Sequence, residues 1–137
     1  MQFATHDERT LTELDHVRLE RLIRDPAHAS QTLSISAALD SAERVPSQKV
    51  QPGVVTMCSQ ILLADLDSRA TFALTLCYPP EANASAGFVS VLSPLGASLI
   101  GLRIGDIARW RTPHGQTGAA VVAAVLFQPE ASGLYTL

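Results

Sequence analysis

At 137 residues, 47% of them apolar, the chain is one ordinary domain or a small domain with an appendage. Its 10 basic and 13 acidic residues leave a net charge of −3, and Lys49 is the only lysine. Nothing here supplies the clustered cations that neutralise phosphates, so direct nucleic-acid binding is not expected and a protein partner is. No apolar run approaches the roughly 18 residues of a membrane span. The opening MQFATHDERT carries acids and no apolar stretch, which argues against a secretory signal and predicts a cytoplasmic protein.

Residues 1–10 are polar and predict a frayed start. Thr12 followed by Asp15 resembles a capping box with Asp in place of Glu, and predicts a helix over 13–24. Leu14, Leu19, Leu22 and Ile23 give that helix its apolar face, and Glu20 lies one turn from Arg24. Asp25-Pro26 ends it, because a residue before proline avoids the helical region. Ile35, Ala38, Leu39 and Ala42 share a stripe and predict a second helix over 32–44, hence a short antiparallel helical hairpin. The Pro46 to Gly53 segment has linker composition. The predicted division is therefore a helical hairpin over 1–45, a linker over 46–53 and a sheet domain over 54–137.

Val54 to Ser59 and Gln60 to Asp65 read as strand with a bend near Ser59, and 66–69 as a turn. Thr71 to Tyr78 alternates with period two, a strand signal. The 79–87 segment has no large apolar residue and reads as a loop. Phe88 to Leu92 is a short buried strand, Ser93 a helix cap, and Pro94 sits where its missing N–H costs nothing. Gly101 can stop that small helix by entering the left-handed region, and Ile107 to Arg111 begins a new strand. After a turn at 112–115, Thr117 to Phe127 is almost wholly apolar and predicts a central strand covered on both faces. The remaining tail turns at Gly133 and is expected to return to the sheet through Tyr135. The predicted class is α+β.

Four stretches carry a resemblance: VVTMCS at 54–59, LCYP at 76–79, SVLSPLGASLIGLRIGDIARW at 90–110 and FQPEASGLYTL at 127–137. Together they resemble the Rnk family, the regulators of nucleoside diphosphate kinase. That family is similar to the C-terminal, FKBP-like domain of the Gre transcription elongation factors. The resemblance implies a coiled-coil-like helical hairpin followed by an FKBP-like antiparallel sheet domain with one short helix. It also implies binding at the secondary-channel rim of bacterial RNA polymerase.

In Gre factors, the resemblance implies, paired carboxylates at a long coiled-coil tip help hold a second Mg²⁺ for RNA cleavage. Such chemistry needs several close oxygen ligands. Here the tip offers only Asp25, so cleavage stimulation is not expected, and neither a metal nor a cofactor is. By the same analogy the corner Leu92, Ser93, Pro94, Leu95 and Gly96 becomes the partner-binding candidate, a rigid patch with little charge. His6, His16, His28 and His114 lie in separate segments without ligand spacing, and no GxSxG, Walker or GxGxxG motif appears. Prolyl isomerase activity is not expected either, since fold alone does not supply it and few aromatics are present. The expected function is non-enzymatic: a polymerase-docking regulator acting on nucleoside diphosphate kinase only indirectly. The rival is a direct partner of a nucleotide-metabolising enzyme. Cys58 and Cys77, without a CxxC, read as reduced, buried thiols.

Overall fold

A computed structural model of the chain describes residues 9–112 and 114–135. The predicted frayed segment therefore lies outside the described residues up to position 8, as do Pro113 of the expected turn and the last two residues of the tail. Arg9 and Thr10, the described residues of that opening segment, are bonded to the body. Thr10–Thr12 forms a short strand, β1, with all three residues buried. Helix α1 runs over Glu13–Arg24, with Thr12 as its cap: Asp15 N donates to Thr12 Oγ1 at 3.0 Å. A tight 3₁₀ segment, Pro26–Gln31, leads to α2 over Leu33–Ser41.

The second helix stops short of the predicted 44. Glu43–Val45 is instead a strand, β2, pairing in parallel with β1. The apolar stripe of α2 ends at Ala42, and beyond it the backbone of Arg9 to Thr12 offers unpaired groups. Glu43 N donates to Arg9 O at 2.8 Å.

The main sheet has five strands: β3 Gln60–Asp65, β4 Thr71–Cys77, β5 Phe88–Ser90, β6 Ile107–Arg111 and β7 Thr117–Phe127. Their order is β5-β4-β3-β7-β6, antiparallel throughout except for the parallel β4–β5 pair at one edge. Thus β7 is paired on both sides but is not covered on both faces. Ala120 and Val122 are buried, while Ala123 and Leu126 are exposed. The tail turns at Gly133 as expected, but no described residue after Phe127 rejoins the sheet. Gln128 anchors it instead, donating through Nε2 to Gln51 O and Val54 O, each at 2.8 Å.

The predicted strand over 54–59 is largely replaced by a turn. Ser59 N donates to Thr56 O at 3.1 Å, and Cys58 sits at φ 66°. Cys58 N then donates to Leu76 O at 2.8 Å while Leu76 N donates to Ser59 O at 3.0 Å. Two residues thus oppose one, which is a β-bulge with its first residue left-handed. Glycine suits that position, and a side chain there carries strain of about 1 kcal/mol. Cys58→Val is expected to lose about 2 kcal/mol, whereas Cys58→Gly stays within about 1 kcal/mol of the parent, read by urea melts. Equal losses in both would show that the backbone is not strained there.

One continuous set of buried side chains runs from Leu19 of α1 and Ile35 and Leu39 of α2 through Val55 and Met57 into Ile61, Leu76 and Val122 of the sheet. Leu99 and Ile100 join it from the small helix α3, Pro94–Leu99. That helix is thereby held against the sheet and the first two helices together.

Candidate functional site

The corner that precedes α3 is built from serines. Ser90 Oγ accepts from Leu92 N at 3.1 Å. Ser93 N and Ser93 Oγ both donate to Ser90 O, at 3.0 and 2.7 Å. Ser93 Oγ in turn accepts from Gly96 N at 3.0 Å, the cap the sequence predicts, and Pro94 occupies the first helical position. Ser90 and Ser93 thus bond to their own neighbours through both side chain and backbone, which fixes the shape of the corner. Leu92 and Gly96 are buried; Ser93, Pro94 and Leu95 are half-buried. The five candidate residues therefore divide into a buried footing and a half-exposed ledge of three. None is charged.

The other end of α3 is closed by a residue the sequence reading passed over. Arg9 Nη1 donates to Ala97 O at 2.8 Å and to Ile100 O at 2.9 Å. A cation on the last carbonyls of a helix is favourable on hydrogen-bonding and dipole grounds. Burial lowers the Arg9 pKa from its ordinary value. Gly101 then takes φ 81°, and its carbonyl accepts from Thr10 N at 3.0 Å. Arg9 and Thr10, the last two residues of the segment expected to fray, thus clamp the candidate ledge.

The arm tip is a different place. Asp25 is exposed, and its Oδ1 accepts from Ala27 N at 3.0 Å, so it caps the 3₁₀ segment. Glu20 is turned along α1, with Oε1 2.7 Å from His16 Nδ1 and Oε2 3.6 Å from Arg24 Nη2. His16 itself is buried, its Nε2 3.1 Å from Leu39 O. Among the described residues, no three His, Cys, Asp or Glu side chains are grouped to hold a metal ion. Asp25 and the Leu92–Gly96 corner are not brought into one site.

A buried acid sits between arm and sheet. Asp15, 3% exposed, does not close the capping box; its Oδ2 accepts from Met57 N at 3.1 Å. The spacing that suggested a box suits a carboxylate aimed inward equally well. Beside it Thr56 Oγ1 donates to Glu130 Oε1 at 2.7 Å and pairs with Ser59 Oγ at 2.8 Å. Burial pushes the Asp15 carboxyl up to about 6, and the charge of Glu130 adds to that. The Met57 N–H, Thr12 and Arg18 oppose it.

Known proteins match this chain over much of its length. Residues 49–125, more than half of the chain, match the family described as transcription elongation factor GreA/GreB, C-terminal. The regulator of nucleoside diphosphate kinase of Escherichia coli K12 is 34% identical over 93% of this chain and 95% of that protein. The transcription elongation factor GreA of Thermotoga maritima is 28% identical over 70% of this chain and 61% of that protein. A solved GreA/GreB elongation factor from Nitrosomonas europaea superposes with a TM-score of 0.70 at 31% identity, covering 87% of this chain and 99% of that one. Those names are of regulators and elongation factors, and the matched span holds the whole ledge. The chain belongs to the family of regulators of nucleoside diphosphate kinase, within the wider GreA/GreB C-terminal family.

Proposed function

We propose that this protein is a transcription regulator that docks at the secondary-channel rim of bacterial RNA polymerase through the Leu92–Gly96 ledge. In this reading residues 1–45 act as a stunted helical-hairpin arm, 46–53 as the connector and 54–137 as the docking body. The carrying observation is the ledge: internally hydrogen-bonded, uncharged, and half-exposed at Ser93, Pro94 and Leu95. A preformed patch loses little entropy on docking, which is what a small interface needs. The arm occupies the channel mouth without cleavage chemistry. Helix α1 has 12 residues, about 18 Å at the standard rise, and the single tip carboxylate is spent on its own cap. Any effect on nucleoside diphosphate kinase follows through transcription.

Retention on immobilised polymerase tests this, with and without a Gre competitor. Pro94→Arg places a cation and a long side chain on the ledge while leaving the Ser93 cap in place. It is expected to weaken retention at least tenfold with the melting temperature unchanged. Equal retention of parent and Pro94→Arg would remove the docking reading. Backtracked elongation complexes should show no stimulated RNA hydrolysis; stimulation would overturn the account of the tip. A direct contact with the kinase is the second reading, favoured by the name of the Escherichia coli relative. It predicts that immobilised protein captures purified kinase when polymerase is absent.

A further inference from the structure

A cavity of about 400 Å³ opens on the sheet face at the bulge, and both cysteines of the chain, Cys58 and Cys77, line it. Leu76, Tyr78, Phe88 and Phe127 supply apolar walls. The two cysteines are also held close by backbone. Cys58 N donates to the carbonyl of Leu76 at 2.8 Å, and that carbonyl is bonded to the nitrogen of Cys77. Covalent geometry then limits the two α-carbons to a separation of about 6 Å. A disulfide spans 4.4 to 6.8 Å between α-carbons, as a general range of about that size. Neighbouring backbone meets the separation a bond requires, and both residues line the same cavity. Both thiols are free in this structure, Cys77 buried and Cys58 half-exposed.

We propose that Cys58 and Cys77 form a reversible cross-strand disulfide, with a hydroperoxide as oxidant. The thiolate of Cys58, the more exposed of the two residues, attacks the peroxide oxygen. The O–O bond breaks, the leaving oxygen takes a proton to become an alcohol or water, and Cys58 becomes a sulfenic acid. The Cys77 thiol then displaces hydroxide from that sulfur, the S–S bond forms, and one water leaves with the Cys77 proton. Two electrons pass from the thiol pair to the peroxide. Transient disulfides of this type are the form expected in a reducing compartment. Burial raises both thiols, and for Cys58 the charges of Asp15, Glu81 and Glu130 add to it. Less thiolate means slower attack, so the pair responds to sustained oxidation rather than to brief exposure. The bond fixes the 56–59 turn to β4, and with it the peptide N–H that Asp15 accepts. Because Cys58 already carries the left-handed backbone, no new conformation is needed to bring its sulfur over the cavity.

The test is peroxide treatment of the full chain followed by intact mass, free-thiol titration and peptide mapping. The chain contains two cysteines, so pairing within one molecule is unambiguous. The expected product is a monomer lighter by two hydrogens, with no free thiol, restored by dithiothreitol. Its melting temperature should rise by about 10 °C, because the link closes a loop of about 20 residues. In Cys77→Ser, Cys58 should accumulate a sulfenic acid that dimedone traps. In Cys58→Ser, Cys77 should stay reduced. Sulfinic or sulfonic products in the parent, covalent dimers, or equal oxidation of Cys77 with and without Cys58 would each overturn the proposal. Polymerase retention of the reduced protein is independent of all of these outcomes.

Discussion

Asp15→Asn raises stability at pH 7.5 by about 2 kcal/mol and leaves it nearly unchanged at pH 4.5, as read by urea melts. The sign follows from the raised carboxyl. In the unfolded chain Asp15 titrates near 3.8; in the fold it titrates at about 6. Between those values the folded protein holds a proton the unfolded chain has released. Its contribution is therefore fully present below 3.8, fades as pH rises through 6, and is absent above. The span is worth about 3 kcal/mol at 1.36 kcal/mol per pH unit, and the lost helix-dipole attraction of a charge at the first turn offsets part of the gain. Asparagine keeps an oxygen for Met57 N, so the variant removes the buried charge and not the hydrogen bond. Asp15→Ala separates the two. It leaves Met57 N buried without that partner and is expected to lose about 1 to 3 kcal/mol against Asn. A parent-minus-Asn difference that does not change between pH 4.5 and 7.5 would show that Asp15 is not the titrating group.

What was legible in the sequence was what neighbours in the chain decide. The bounds of α1 follow from Thr12 and Asp25-Pro26, and the α3 corner from Ser93-Pro94, because a cap and a proline act within four residues. What was not legible depends on who lies across. Strands β1 and β2 have three residues each, too short for period two to show, and they exist because they find one another. The 54–59 run is apolar enough for a strand, yet Val54 and Val55 are buried at the end of α3, and of this run Cys58 and Ser59 reach β4, through a bulge. Arg9 reads as one charge in a polar tail until the carbonyls of α3 are placed beside it. Asp15 is the sharpest case: the same i, i+3 spacing serves a capping box or an inward carboxylate, and only Met57 decides. For the candidate ledge, sequence gives the shape of the corner. Its partner is not encoded locally, because docking is a property of two surfaces.

Gly96→Ala is expected to cost about 3 kcal/mol and to lower the melting temperature by about 10 °C. Helix propensity alone points the other way, since alanine in a helix gains up to about 1 kcal/mol over glycine. The collision outweighs it. A β-carbon at Gly96 would land on the carbonyl oxygen of Ser90, far inside contact distance, and within 3.0 Å of Val91 Cα. Neither obstacle is the end of a flexible side chain. Ser90 O is already engaged by Ser93 N and Ser93 Oγ, and Val91 N is held by Cys77 O at 2.9 Å. The chain must therefore move α3 as a body, which also pulls Leu99 and Ile100 from the core they share with α1 and α2. The ledge moves with the helix, so polymerase retention should fall along with stability, in contrast to Pro94→Arg, which is expected to lose retention alone. A Gly96→Ala protein that melts with the parent would mean that β5 and α3 are not in the contact described, and the rigidity of the ledge would have no basis.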